Sequence, residues 1–102
     1  MVVEIQYFSG CPNAEPAIRL VEETLLTEGV AAEIRRREIT SEEDAVEYHF
    51  LGSPTIQVDG LDIDPSSRTD TNYALTCRIY QLPGGASGVP SKDMLREALS
   101  EK

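Results

Sequence analysis

The chain has 102 residues, 40% hydrophobic and 26% charged, the proportions of one globular domain with a single core, long enough to stand without disulfide staples. Its 18 acidic against 9 basic side chains give a formal net charge of −9, which argues against nucleic acid and acidic membrane surfaces as partners, because both recruit Lys and Arg. The start, Met1-Val2-Val3-Glu4-Ile5, lacks the basic and long apolar regions of a secretion signal, and no run reaches the roughly 18 apolar residues of a membrane span. The expected setting is the cytoplasm, where thiols stay reduced and a sparse cysteine is reactive, metal-binding or buried.

Val2 to Phe8 alternates, with Val3, Ile5 and Tyr7 on one face and Val2, Glu4, Gln6 and Phe8 on the other, the periodicity of a strand. Ser9-Gly10-Cys11-Pro12-Asn13 is a cluster of turn formers and helix starters. Ala17, Ile18, Val21 and Leu25 then recur at helical spacing, and Gly29 supplies a stop, so a helix is predicted over 14–28. Asn13 is the better N-cap. A start at Pro12 would bury Pro16 in the helix and cost a backbone bond, whereas a start at Asn13 leaves Pro16 in the first turn and Cys11 just outside the helix.

Glu33 to Ile39 reads as an outer strand, because Arg35, Arg36 and Arg37 make it polar on both faces. Those arginines solvate the edge; the alternative is contact with an anionic ligand such as a glutathione carboxylate. Thr40 with Glu43 has capping-box spacing, and Val46 with Phe50 gives the short helix that follows an apolar line, closed by Gly52. His49 in that helix has a solvated or packing role. Thr55 to Val58 is a third strand, turned by Asp59-Gly60 into Leu61-Asp62-Ile63. Residues 64–76 read as a loop, Cys77 to Tyr80 as a strand-like stretch and Pro83-Gly84-Gly85 as a turn. Ser91 caps a closing helix with Met94, Leu95, Ala98 and Leu99 as its buried stripe. The four tyrosines read as packing residues with a polar edge.

The order strand, helix, strand, helix, strand, strand, helix implies an α/β domain. A right-handed crossover makes the first two strands parallel and a hairpin makes the last two antiparallel, a mixed sheet of about four strands covered by helices on both faces. At Phe8-Ser9-Gly10-Cys11-Pro12, at Ser53-Pro54-Thr55 and in the tail from Gly88 to Leu95 the chain resembles the thioredoxin and glutaredoxin superfamily. It is also similar to small bacterial thioredoxin-like proteins sometimes labelled with organomercurial lyases. The resemblance covers most of the chain outside residues 64–87.

That resemblance implies a thioredoxin-like fold with Cys11 as thiolate nucleophile. The position of the usual second cysteine is Ala14, so Cys11-Pro12-Asn13-Ala14 is a monothiol variant. A nearby helix N-terminus favours thiolate. Pro54 matches the family's cis-proline, and the resemblance then implies that Ser53, Pro54 and Thr55 bind substrate by short strand addition, with a protein disulfide or a glutathione mixed disulfide as partner. No resident cofactor or metal is implied, with glutathione entering as a co-substrate. Cys77 has two readings, a resolving thiol near Cys11 or a buried strand residue. Three functions follow: a thiol-disulfide or glutathione-linked redox protein; a thiolate site for a soft metal such as Hg(II), Cu(I) or Zn; and an interaction module without catalysis.

Overall fold

A computed structural model describes residues 1–101. Strand β1 (Val2–Tyr7) leads through a turn into helix α1 (Ala14–Glu28), then β2 (Glu33–Glu38), α2 (Glu42–Glu47), β3 (Thr55–Val58) and β4 (Leu61–Asp62). A 3-10 turn, Pro65–Ser67, opens a long connection to the hairpin β5 (Tyr80–Leu82) and β6 (Gly85–Ser87), and α3 (Lys92–Ser100) closes the described chain.

The central sheet has the order β2-β1-β3-β4. β1 and β2 are parallel, from Val2 opposite Glu33 to Tyr7 opposite Glu38. β1 and β3 are antiparallel, with Val3 facing Val58 and Gln6 facing Thr55. The fold is therefore α/β with a mixed four-stranded sheet, the arrangement that the crossover and the Asp59-Gly60 turn require. Asp59 and Gly60 both have positive φ, 49° and 85°, as a two-residue hairpin of this hand demands.

One face of the sheet is apolar. Val3, Ile5, Ile56, Val58 and Ile63 pack with Ala17, Ile18, Val21 and Leu25 of α1 and with Leu95, Ala98 and Leu99 of α3. A smaller cluster of Ile39, Ala45 and Phe50, flanked by Phe8, Tyr48, Tyr73 and Leu75, lies around α2. The Gln6 side-chain amide donates to the Tyr48 carbonyl at 3.0 Å, so the opposite face of β1 meets the end of α2. No helix among the described residues is long and apolar enough to cross a membrane.

Three local expectations change. The N-cap of α2 is Ser41, whose hydroxyl accepts from Asp44 N at 3.1 Å, while Asp44 reaches back to the Thr40 hydroxyl at 2.9 Å; the box is Ser41 with Asp44, one residue beyond Thr40 with Glu43. Val46 is exposed and Ala45 is buried. The helix ends at Glu47 and His49 takes φ of 55°, so Phe50 lies beyond the helix and the i,i+4 relation to Val46 does not form. Finally, the strand expected over Cys77–Tyr80 begins at Tyr80 and belongs to a separate two-stranded sheet with Gly85–Ser87, whose turn is Pro83-Gly84. Glycine and alanine in its second strand carry no strand signal.

Candidate functional site at the end of the central sheet

Cys11 sits in the connection that follows β1. Its N–H donates to the Phe8 carbonyl at 3.2 Å and its own carbonyl accepts from Ala14 N at 3.3 Å, with Gly10 at φ 88° allowing the tight reversal. Helix α1 starts at Ala14 with Asn13 as N-cap, which leaves Cys11 outside the first turn and Pro16 where its missing N–H has no helical partner to lose. Asn13 does not cap with its side chain. It is turned instead against Gly88, where a Cβ would clash with the Asn13 side-chain amide. A side chain at position 88 would therefore displace Asn13, and the closing turn before α3 is packed against the Cys11 connection.

The second half of the site is the entry to β3. The Ser53–Pro54 peptide bond is cis. Because β3 runs antiparallel to β1 and Gln6 faces Thr55, the start of β3 lies at the sheet end where β1 delivers Cys11. A parallel bridge joins Ser53 to Cys77: Ser53 N–H donates to the Thr76 carbonyl at 2.8 Å, and Arg78 N–H donates to the Ser53 carbonyl at 3.0 Å. Both cysteines are free, Cys11 half-buried and Cys77 exposed. Cys77 is thus not the buried strand residue of one of its two sequence readings. The topology brings Cys11, Pro54 and Cys77 to one end of the sheet.

Ser53, Pro54 and Thr55 are all buried, and both backbone hydrogen-bonding groups of Ser53 are taken by the chain's own residues 76 and 78. Thr55 pairs with Gln6, and its hydroxyl donates to the Gly52 carbonyl at 2.6 Å while accepting from Leu51 N. The strand addition expected at Ser53 and Thr55 therefore has no free backbone edge here. The Ser53 hydroxyl is buried without a hydrogen-bond partner.

What holds residues 76–80 in place is a buried ion pair absent from the sequence expectations. Arg78 Nη1 and Nη2 meet Asp62 Oδ2 and Oδ1 at 2.7 and 2.9 Å, and both side chains are about 95% buried, at 5% and 6% exposure. The fork-to-fork geometry is the strongest arrangement for such a pair. Nη2 also donates to the Ser67 hydroxyl at 3.2 Å, and the guanidinium carbon lies 4.4 Å from the centre of the Tyr80 ring. Burial is the largest influence and opposes the Arg78 charge, but the Asp62 hydrogen bonds and the electrostatic pull of neighbouring groups, Asp62 and Asp64 among them, together hold the group above the ordinary arginine range. Burial pushes the Tyr80 phenol well up, with the Arg78 charge pulling the other way; the protonated phenol donates to the Pro54 carbonyl. Gly52, at φ 114°, permits the approach: a Cβ there would meet Arg78 Cβ at 3.0 Å and its backbone N at 3.1 Å.

Asp62 and Arg78 are 16 residues apart, and no local pattern joins them. Arg78 falls within a strand-like stretch where a charged residue reads as solvent-facing. The one available signal is Gly52 ahead of Ser53-Pro54, a glycine in a strand approach that marks close packing of another backbone.

The remaining candidates lie elsewhere or have partners. The exposed His49 ring stacks on Tyr73 with centroids 5.0 Å apart and an interplanar angle of 5°, beside a pocket of about 110 Å³ lined by neither cysteine. Arg35 pairs with Glu33 at 2.8 Å, Arg36 with Glu15 at 3.5 Å and Arg37 with Glu4 at 3.2 Å. Among the described residues no group of three or more His, Cys, Asp or Glu side chains converges in the manner of a metal site. No protein-family model, curated protein or solved structure matches the chain.

Proposed function

We propose that the chain is a thioredoxin-like thiol-disulfide redox protein, acting in a reducing compartment such as the cytoplasm, with Cys11 as the attacking thiol and Cys77 as the second thiol. The observation that supports this reading is the placement of two free cysteines toward the same end of the sheet, one in the turn after β1 and the other bridged to Ser53 at the entry to β3. In the reaction, the Cys11 thiolate attacks one sulfur of a disulfide R–S–S–R′ and expels R′–S⁻, leaving Cys11–S–S–R. Cys77, as thiolate, then attacks the Cys11 sulfur, expels R–S⁻ and closes a Cys11–Cys77 disulfide, which two external thiols such as glutathione reduce. The substrate disulfide gains two electrons in the first two steps and the two protein thiols lose them. The half-burial of Cys11 and the exposure of Cys77 support a division of labour in which Cys11 takes the substrate sulfur and Cys77, held beside Ser53, receives the mixed disulfide from it.

The test is turnover of a glutathione mixed disulfide by the wild type, Cys11→Ser and Cys77→Ser. Loss of activity to the uncatalysed background in Cys11→Ser, with slowed turnover in Cys77→Ser, is the expected result. Full activity in Cys11→Ser would refute the nucleophile.

The same two thiols favour a second reading, a two-coordinate site for a soft ion such as Hg(II) or Cu(I), since two sulfurs do not close a tetrahedral zinc site. Stoichiometric metal uptake by the reduced protein, without any disulfide turnover, would select it. Absence of both responses leaves a thioredoxin-like interaction module.

A further inference from the structure

We infer that residues 77–79 form a strand edge on which an extended segment of a partner polypeptide docks non-covalently, with an apolar side chain against Ile79 and a Lys or Arg toward Glu42. The inference stands apart from the redox reading, because it uses backbone groups and not thiols. Burial alternates along this stretch: Cys77, Ile79 and Gln81 are exposed, while Arg78 and Tyr80 are buried, the pattern of a strand with one face on the core. The backbone alternates too. Thr76 and Arg78 spend a carbonyl and an N–H on Ser53, so the N–H and carbonyl of Cys77 point the opposite way. Among the described residues, the N–H and C=O groups of Cys77 and Ile79 have no hydrogen-bond partner.

An open edge of this kind is normally blunted by charge or proline. On β2 that protection is present, since Arg35, Arg36 and Arg37 each pair with a carboxylate along it. On residues 77–79 it is missing. The only charge is Arg78, which turns inward to Asp62, and the outward Ile79 is 59% exposed. The edge is also held ready, by the Arg78–Asp62 pair and by the Tyr80 bond to the Pro54 carbonyl, so little ordering remains to oppose docking. Charge selects the occupant. A second copy would bring another net charge of −9 against the first and is repelled. Glu42 accepts a hydrogen bond from Leu75 N at 3.3 Å, and Glu42 and Glu43 are both exposed, so acidic side chains flank the start of the edge. A strand laid along it thus gains from a basic residue there and an apolar one opposite Ile79, about 13 Å further on at the rise of a β-strand.

The experiment pans a displayed library of random short peptides against the reduced protein, then measures the enriched peptides as synthetic probes by affinity and by amide hydrogen exchange. The expected peptides alternate apolar and polar residues and carry Lys or Arg near one end. On saturation they should slow exchange of the Cys77 and Ile79 amides about tenfold or more. Ile79→Pro removes one free donor without breaking a bond of the fold and should weaken them by a similar factor; if that variant does not fold, Ile79→Lys supplies the missing edge charge and should do the same. Glu42→Gln, which keeps the oxygen that Leu75 uses, should weaken them several-fold. No enrichment, or enriched peptides that leave the Cys77 and Ile79 amides exchanging freely or bind the edge variant as tightly as the wild type, would overturn the docking edge. Equal affinity for Glu42→Gln would overturn the basic partner. None of these results bears on disulfide turnover.

Discussion

The two faces of the central sheet are built on different physics. On one, Val3 opposite Val58 and Ile5 opposite Ile56 bury methyl groups against α1 and α3, a contact stabilised by area removed from water and indifferent to direction. On the other, Glu4 opposite Gln57 and Gln6 opposite Thr55 join Asp62 and Arg78 in a layer that is buried or nearly so and hydrogen-bonded. The Gln6 and Gln57 amides both donate to the Tyr48 carbonyl, at 3.0 and 3.1 Å. An apolar face tolerates small shifts. A hydrogen-bonded face does not, because each misplaced polar atom loses its partner in a place water cannot reach. The candidate site is tied to the directional face, and residues 76–80 owe their position beside Pro54 to it.

The largest expected effect separates these modes. Changing Asp62→Leu or Arg78→Met alone strands a buried charge and should cost about 3–5 kcal/mol, read as a fall in the urea midpoint. The double change to Leu and Met should recover most of that loss, since a buried pair is worth little against well-packed apolar side chains. If the double variant is as unstable as the singles, the face does not depend on the pair. Next in size, Ile56→Ala on the apolar face should cost about 3 kcal/mol yet leave the ratio of Cys11 to Cys77 alkylation rates unchanged. A change in that ratio would mean that both faces position the site.

A smaller effect is expected for Tyr80→Phe, which removes the bond to the Pro54 carbonyl and should cost about 1 kcal/mol. Its pH dependence has a definite sign. The folded phenol is raised by burial, so the stability it contributes is complete below the unfolded tyrosine value near 10 and declines as pH rises above it. Tyr80→Phe should flatten that alkaline decline. The smallest effect lies at the other end of the scale. Burial works to raise the Asp64 carboxyl, but hydrogen bonds from the Ser66 hydroxyl, the Ser66 N–H and the Ser67 hydroxyl outweigh it and lower the group. Its contribution is present above its ordinary value of 3.8 and is lost as pH falls through the lowered one. Asp64→Asn should reduce the acid slope slightly, and an unchanged slope would show that the carboxylate adds nothing.

Legibility in the sequence followed the range of the interactions. The bounds of α1 at Ala14 and Glu28 were readable because Asn13, Pro16 and Gly29 act within one turn of themselves. The parallel and antiparallel pairings were readable because handedness and a two-residue turn leave few alternatives. Val46 and Phe50 share helical spacing in the sequence, but the helix stops at Glu47, between them, so the spacing does not translate into a shared face. Cys77 admits two readings from sequence because its environment is made by Ser53, 24 positions earlier, and by an Arg78–Asp62 pair that no periodicity announces. The sequence pointed to Ser53-Pro54-Thr55 but not to its coverage by residues 76–78, since a strand edge does not record what will fill it.

The central claim is that Cys11 and Cys77 act as one chemical unit at the sheet end. Its most direct measurement is a non-reducing peptide map of the monomer after treatment with one equivalent of oxidised glutathione, sampled over time. The account predicts a glutathione adduct on Cys11 first, followed by an intramolecular Cys11–Cys77 disulfide with release of glutathione. An adduct that accumulates on Cys77 while Cys11 remains a thiol, or an adduct on Cys11 that never passes to Cys77, would contradict it.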